Sequence, residues 1–269
     1  MILFPNAKIN IGLYITEKRP DGYHNLESIF VPIDWTDILE ITPSQDFAFT
    51  SSGIPIPGKP ESNLCIKAFQ LLQEAFHIPN VSIHLHKIIP MGAGLGGGSA
   101  DAAFTLIGLR DLFNLSLSNE ELIPFAQKLG SDCPFFLLNS PQFGTEKGDR
   151  LEPISLHLNG LFGLLVYPKI NVSTQEAYSG VLPVPAPNFL PTEISRPVQQ
   201  WKEAIYNDFE KNIFPKYPLL SEVKDALYAL GAIYSSMSGS GSTLFGIFEK
   251  EPNTEVFDKQ GYITKIVAF

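Results

Sequence analysis

The chain has 269 residues, 44% hydrophobic and 17% charged, with a net charge of -9 and a pI near 5.0. That balance excludes a disordered chain and argues against a nucleic-acid partner, whose binding rests on Lys and Arg contacts to phosphate. No run approaches the roughly 20 apolar residues of a membrane helix, the start lacks a signal-peptide pattern, and Cys65 and Cys133 are too few for a disulfide framework. The expectation is a cytoplasmic protein with reduced thiols, no membrane partner and no nucleic acid.

Residues 2–16 read as a strand. Leu3, Ala7, Ile9, Ile11, Leu13 and Ile15 fall on one face, and Asn6, Lys8, Asn10 and Tyr14 on the other. RPDGYHN follows, with Asp21-Gly22 as a hairpin-type turn. LESIFVPIDWTDILEIT supplies two more strands, so an antiparallel meander is expected to open the chain. Ser62 is placed to cap a helix over NLCIKAFQLLQEAF. VSIHLHKII is a strand with Val81, Ile83 and Leu85 on one face. The run PMGAGLGGGSADAA comes next, and a helix is expected from Ser99 through SADAAFTLIGLRDLF. Beyond NLSLS, Ser118 and Glu121 have the separation of a capping box.

In the second half, LFGLLVYP reads as a strand. PVPAPNFLPTEISRP, residues 183–197, reads as an extended loop with little regular structure. Helices are expected near 199–212 and 218–231, and YITKIVAF as a last strand. Strands and helices do not alternate as a doubly wound sheet requires, so the class is α+β. A boundary near residue 152 divides the chain into segments 1–152 and 153–269.

Five glycines fall within residues 92–98. Gly92, Gly94 and Gly97 satisfy the dinucleotide fingerprint G-x-G-x-x-G, but that fold needs a second strand after the helix, and here a helix follows. Gly92, Gly97 and Ser99 fit a P-loop, but Gly98 stands where its lysine belongs. What both templates share remains. Clustered glycines let backbone N–H groups approach an anion, and a helix N-terminus adds partial positive charge. The missing cation must come from elsewhere, and Lys8 and Lys87 are the candidates.

Lys8 and Asn10 are two residues apart on one strand, so both lie on one face about 7 Å apart. GSDCPFF carries Asp132, which alone would be a turn residue. MSGSGSTLFGIF is a second small-residue loop, able to close over phosphate or substrate or to serve as a tight turn. In this order, PNAKINIGLYI, RPDGYH, PMGAGLGGGSADAA, GSDCPFF and SGSGST resemble the GHMP kinase superfamily. Within it they are similar to the branch whose acceptor carries a cytidine diphosphate. The resemblance spans nearly the whole chain.

The resemblance implies a two-domain α+β kinase. Its N-terminal ATP-binding domain would be like domain 2 of ribosomal protein S5, its C-terminal domain ferredoxin-like, and its active site in the cleft. ATP, with Mg²⁺, would be the co-substrate. The γ-phosphoryl group would pass to the 2-hydroxyl of a small-molecule substrate, cytidyl-diphosphate methylerythritol, in non-mevalonate isoprenoid synthesis. A monomer or a homodimer would suit.

Residue by residue, the resemblance implies Asp132 as general base and Lys8 as the cation that orients the acceptor. Pro90, Met91, Gly92, Ala93, Gly94, Leu95, Gly96, Gly97, Gly98, Ser99 and Ala100 would form the ATP loop, with Ser99 a possible contact to Mg²⁺. Asn63, Lys87 and Asp101 would face adenosine. Tyr23 and His24 would read the cytosine, Tyr178 would supply a second aromatic face, and Asn10 and Thr174 would touch the same substrate. The metal ligands stay unassigned.

His84 and His86 form an H-x-H pair without a third metal ligand in sight, so a solvent-facing strand surface is expected. Cys133 is expected to be a buried structural cysteine. The alternatives are another GHMP-type kinase, acting on homoserine or mevalonate, and a non-catalytic nucleotide-binding protein. DGYH speaks against the first, and the pair Lys8 and Asp132 against the second.

Overall fold

A computed structural model describes residues 1–269. The chain divides into two compact units that are interleaved in sequence. Residues 1–7, 35–91 and 96–140 form the first, and residues 8–34, 92–95 and 141–269 the second. The expected cut near 152 is a single point in sequence, whereas the units exchange chain at residues 8, 35, 92, 96 and 141.

The first unit is built on a four-stranded sheet in the order Ile2–Leu3, Ile38–Pro43, Val81–Lys87, Ala48–Gly53. Ala48–Gly53 runs parallel to Val81–Lys87, and the other pairs are antiparallel. The helix Gly97–Leu112 packs on Ile38–Pro43 and touches the helices Leu64–Phe76, Asn119–Leu129 and Cys133–Leu138. Small residues let it sit close. A Cβ on Gly108 would come within 2.6 Å of Leu3 Cδ1 and 2.8 Å of Ile41 Cδ1.

The second unit holds two sheets. One runs Asn6–Lys18, His24–Thr36, Gln142–Thr145, Arg150–Pro153; the other runs Tyr234–Met237, Leu244–Phe248, Phe162–Tyr167, Ile263–Ala268. Leu13, Ile15, Leu164, Val166, Phe209, Leu220, Val223 and Leu244 belong to one continuous apolar core.

The α+β class stands, and several local expectations change. The opening strands do not form one meander, because the chain changes sheets at the buried Asp37. Asn6–Lys18 is buried on both faces from Asn6 to Ile15, so its alternation separates two interiors rather than core from solvent. Ser62 lies in a short 3-10 turn, and Asn63 caps the helix instead by accepting the Cys65 N–H at 2.9 Å. The helix after the glycines begins at Gly97, two residues before Ser99. Within 183–197 a short helix, Leu190–Ile194, forms with Pro191 in its first turn.

The expected helix over 199–212 is broken into Trp201–Ala204 and Glu210–Lys216, because Asn207 bonds to the backbone N–H of Phe209 at 3.0 Å. The strands Ala48–Gly53, Gln142–Thr145 and Arg150–Pro153 carry no alternating apolar pattern and are visible only in the pairing. The capping box at Ser118 and Glu121 is present, with reciprocal bonds of 3.2 and 2.8 Å. The later expected helix is found at Pro218–Ala229. No helix is long and apolar enough to cross a membrane.

The close approach at Gly108 predicts that Gly108→Val destabilises the protein by about 2 kcal/mol through overpacking. Urea unfolding followed by circular dichroism measures this. A loss below about 0.5 kcal/mol would show that the helix–sheet spacing is not set there.

Candidate active site

The glycine loop alternates in backbone hand. Gly92, Gly94 and Gly96 have φ of +63°, +77° and +72°, while Ala93 and Leu95 between them are not left-handed. Such alternation turns successive N–H groups to one concave side. The carbonyls are held by the protein. Ala93 O accepts the Thr243 N–H at 3.2 Å, and Leu95 O accepts the Lys8 N–H at 2.9 Å. Gly94 O accepts the Ser238 hydroxyl at 2.8 Å and the Lys8 ammonium at 3.3 Å. Gly94 must be glycine, because a Cβ there would fall 2.0 Å from Ser238 O.

Ahead of the helix ladder, the N–H groups of Gly97, Gly98 and Ser99 precede the first intrahelical bond, from Ala100 N to Gly96 O at 2.9 Å. The two glycines differ in purpose. A Cβ on Gly97 would come within 3.0 Å of Ile89 Cγ2 and 3.1 Å of Lys87 Nζ, whereas one on Gly98 would meet nothing within 4 Å. Gly97 is therefore required by packing. Gly98 faces open space at a helix N-terminus, where an anion is favoured.

The two candidate lysines have different surroundings. Lys8 is 3% exposed. Its ammonium donates to Asn10 Oδ1 at 2.5 Å and stands 5.5 Å from the centre of the Phe30 ring. Asn10 in turn donates to the Ser28 hydroxyl at 2.9 Å. The shared strand face expected for Lys8 and Asn10 is thus a direct hydrogen bond, beside the glycine loop.

Lys87 is committed elsewhere. It is buried between two carboxylates, donating to Asp37 Oδ2 and, at 2.8 Å, to Asp101 Oδ2. Asp37 Oδ1 also accepts the N–H groups of Ile88 and Ile89 at 2.5 and 2.9 Å. One cation faces two anions. Burial raises the Asp101 carboxyl to about 7; the Lys87 charge opposes this and the Asp37 charge adds to it. Burial alone would lower Lys87, but the two carboxylates outweigh it and its affinity for its proton is raised. Asp101 Oδ1 has no hydrogen-bond partner.

Asn63, Lys87 and Asp101 line a single pocket of about 280 Å³ together with Met91 and Gly98. Phe49, Ile56, Leu64 and Leu85 supply its apolar wall. A pocket with an apolar wall on which several polar groups converge suits a planar base.

Asp132 precedes the helix Cys133–Leu138 and receives a long bond, 3.5 Å, from the Ser131 hydroxyl. Burial pushes the Cys133 thiol up to about 12, although a hydrogen bond with Ser99 pulls the other way. The cysteine is a neutral packing group rather than a nucleophile.

His24 and Tyr178 come together. Their rings stack with centroids 5.0 Å apart and planes 24° apart, and Tyr178 meets Phe209 edge-on at 4.8 Å. Partial burial and the Lys18 charge lower the His24 pKa, which favours the neutral ring with one donor and one acceptor nitrogen. Tyr23, at the hairpin tip, is 62% exposed, with the Lys147 ammonium 5.4 Å from its ring centre. Thr174 and Tyr178 lie four apart in the helix Thr174–Ser179, on one face. His84 and His86 bond to strand hydroxyls: Thr50 at 2.7 Å and Ser52 at 2.9 Å for His84, and Ser52 at 2.8 Å for His86.

Sequence reasoning missed Asp37 and Ser238. A lone aspartate between two strands carries no pattern. Ser238 lay inside a loop already singled out as small-residue, but nothing in SGSGST tells which hydroxyl meets the glycine run.

The N-terminal domain model of the GHMP kinases matches residues 63–140, and the C-terminal model matches residues 194–259. The 4-diphosphocytidyl-2-C-methyl-D-erythritol kinase of Bacteroides fragilis is 51% identical over 262 residues, 96% of each chain. This chain belongs to the 4-diphosphocytidyl-2-C-methyl-D-erythritol kinase family, within the GHMP kinases. The member of that family from Chlorobium limicola is 40% identical over 276 residues, covering 97% of this chain and 94% of its own. A crystal structure of 4-(cytidine 5'-diphospho)-2C-methyl-D-erythritol kinase matches over the full length of both chains, with a TM-score of 0.84 and 30% identity. The mevalonate kinase of Methanococcus jannaschii shares the fold, with a TM-score of 0.73 at 16% identity over 100% of this chain and 98% of its own.

The buried triad makes this kinase-family chain sensitive to pH. Asp101 keeps its proton in the folded protein up to about pH 7 but ionises near pH 4 when unfolded. Its contribution to stability is therefore complete below about pH 4 and lost as pH rises to about 7. Asp101→Asn, always neutral, should abolish that slope. Urea unfolding at about pH 5 and about pH 7 should show the wild type losing up to roughly 2 kcal/mol more than the variant. Equal losses would place the proton elsewhere.

Proposed function

We propose that this protein transfers the γ-phosphoryl group of ATP to the 2-hydroxyl of 4-diphosphocytidyl-2-C-methyl-D-erythritol, giving the 2-phosphate. The observation that carries the reading is the glycine loop, whose carbonyls at Ala93, Gly94 and Leu95 are all bound by protein donors. A loop so arranged offers N–H groups to a triphosphate, and phosphoryl transfer depends mostly on positioning and electrostatics.

The roles follow from chemistry. Residues Pro90 to Ala100 hold the nucleotide phosphates, and the pocket of Asn63, Lys87 and Asp101 takes adenosine. Lys8 replaces the lysine that Gly98 cannot supply and offsets charge on the transferred group. Lys87 is the weaker candidate for that task, because its buried ammonium is already bonded to Asp37 and Asp101. Asp132 accepts the proton of the acceptor hydroxyl.

Mg²⁺, bound with the triphosphate, would offset the phosphate charge, and the Ser99 hydroxyl in the first helical turn would be the protein donor toward it. The stacked pair His24 and Tyr178, with Tyr23, takes the cytosine. Thr174, on the same helix face as Tyr178, and Asn10 complete the acceptor site. Asn10 already accepts from Lys8 and donates to Ser28, so it would contact substrate through a remaining lone pair. The proposed compartment is the cytoplasm, where ATP is at hand and both cysteines stay reduced. The join between the two family segments is proposed at residues 152–153.

ATP consumption with the cytidyl acceptor, measured beside mevalonate, homoserine and galactose, tests the function. Turnover with the cytidyl acceptor alone is expected; turnover only with another acceptor would cancel the cytidine site and keep the kinase. Asp132→Asn should lower kcat by about 10²–10⁴ while leaving ATP binding intact. Near-wild-type turnover would remove it as the base. Tyr23→Ala should raise KM for the cytidyl acceptor several-fold more than KM for ATP, and equal effects would undo its assignment.

A further inference from the structure

One buried polar segment has no part in the roles above. Asn207, Asp208 and Glu210 are 2%, 6% and 8% exposed, and buried polar side chains in such density need partners. All three bond to backbone, of the strand Asn6–Lys18 or of the turn around Ser238. Asp208 accepts the Ile15 N–H at 2.8 Å, on the strand that carries Lys8 and Asn10. Glu210 accepts the Met237 N–H at 2.8 Å and the Ser236 hydroxyl at 3.0 Å, and its other oxygen accepts from Lys224 at 2.5 Å.

Asn207 lies at the centre of this arrangement. Its Nδ2 donates to the carbonyls of Met237 and Gly239, both at 2.8 Å. Its Oδ1 accepts the Phe209 N–H at 3.0 Å. Those two carbonyls flank Ser238, so one amide group fixes the backbone on both sides of that serine. Ser238 then donates to Gly94 O at 2.8 Å and accepts the Asn10 N–H at 3.3 Å. The neighbouring Gly239, at φ +55°, has no side chain to restrict it. The shape of the turn is therefore set by hydrogen bonds rather than by sterics.

We propose that Asn207 is a positioning residue for nucleotide binding that acts through Ser238. It keeps the Ser238 hydroxyl on the Gly94 carbonyl, and so keeps that carbonyl dipole turned away from the phosphates. It touches no substrate. Only an amide has the needed pattern, two donors on one atom and an acceptor on the other. An aspartate of the same size would keep the bond to Phe209 and set a bare oxygen against two carbonyl oxygens. The inference rests on the reading of residues 90–100 as the ATP loop.

The test is calorimetric titration of the intact protein with ATP and Mg²⁺, and separately with cytidine diphosphate. Wild type, Asn207→Asp, Ser238→Ala and the double variant are compared. Asn207→Asp should raise Kd for ATP about tenfold and change Kd for cytidine diphosphate by less than about twofold. Ser238→Ala should also weaken ATP, and the double variant should be no weaker than Asn207→Asp alone, as for two steps in series. A folded Asn207→Asp with wild-type ATP affinity, or with equal losses for both nucleotides, would overturn the proposal. If Asn207→Asp does not fold, Ser238→Ala decides: unchanged ATP affinity breaks the route, and weakened affinity supports it. Failure of the wild type to bind ATP would refute the kinase reading instead.

Discussion

A loop that holds a phosphate must show its N–H groups and hide its carbonyls. Glycine permits either arrangement, so glycine density alone does not make an anion site. Here the choice is enforced from outside the loop. Three successive carbonyls are taken by Thr243, Ser238 and Lys8, the last acting through both its backbone and its side chain. The donors come from a strand near the start of the chain and a turn near its end. Both belong to the same compact unit as Gly92–Leu95. The interleaving of the units has a physical sense in this light: the middle of the loop, residues 92–95, is packed with the elements that hold it.

The electrostatics are local. A chain with a net charge of -9 repels anions at long range, so a site for a triphosphate needs focused positive charge. In the proposed function it comes from a helix N-terminus, backbone N–H groups and one buried ammonium at Lys8. Lys87 is the instructive contrast. It is as buried as Lys8, but two carboxylates surround it, and it joins the end of the strand Val81–Lys87 to the helix that starts at Gly97. One lysine bonds to Asn10 beside the glycine loop, and the other ties Asp37 to Asp101 in the frame of the pocket.

The acceptor side has a different character. The rings assigned to it are packed together, with His24 stacked on Tyr178 and Tyr178 edge-on to Phe209. Phe209 belongs to the core cluster and lies in the same short segment as Asn207 and Glu210. The stretch from 207 to 210 thus braces the Ser238 turn with polar groups and the aromatic stack with an apolar one.

Much of the candidate site's local geometry was legible in the sequence, because short motifs carry their own geometry. The glycine run, the capping box at Ser118 and Glu121, the shared face of Lys8 and Asn10, and the DGYH turn depend on neighbours within a few residues. The sequence alone also sufficed for the α+β class and for the family resemblance. Contacts over long separations were not legible. Nothing local says that Asn63 rather than Ser62 caps its helix, that the strand Asn6–Lys18 is buried on both faces, or that the helix signal over 199–212 yields to Asn207. Nor does it say that Asp37 completes the pair Lys87 and Asp101. Only the tertiary structure decided these, because several side chains, near and far in sequence, can compete for the same backbone group or charge, and that competition is settled by packing, which no local pattern records.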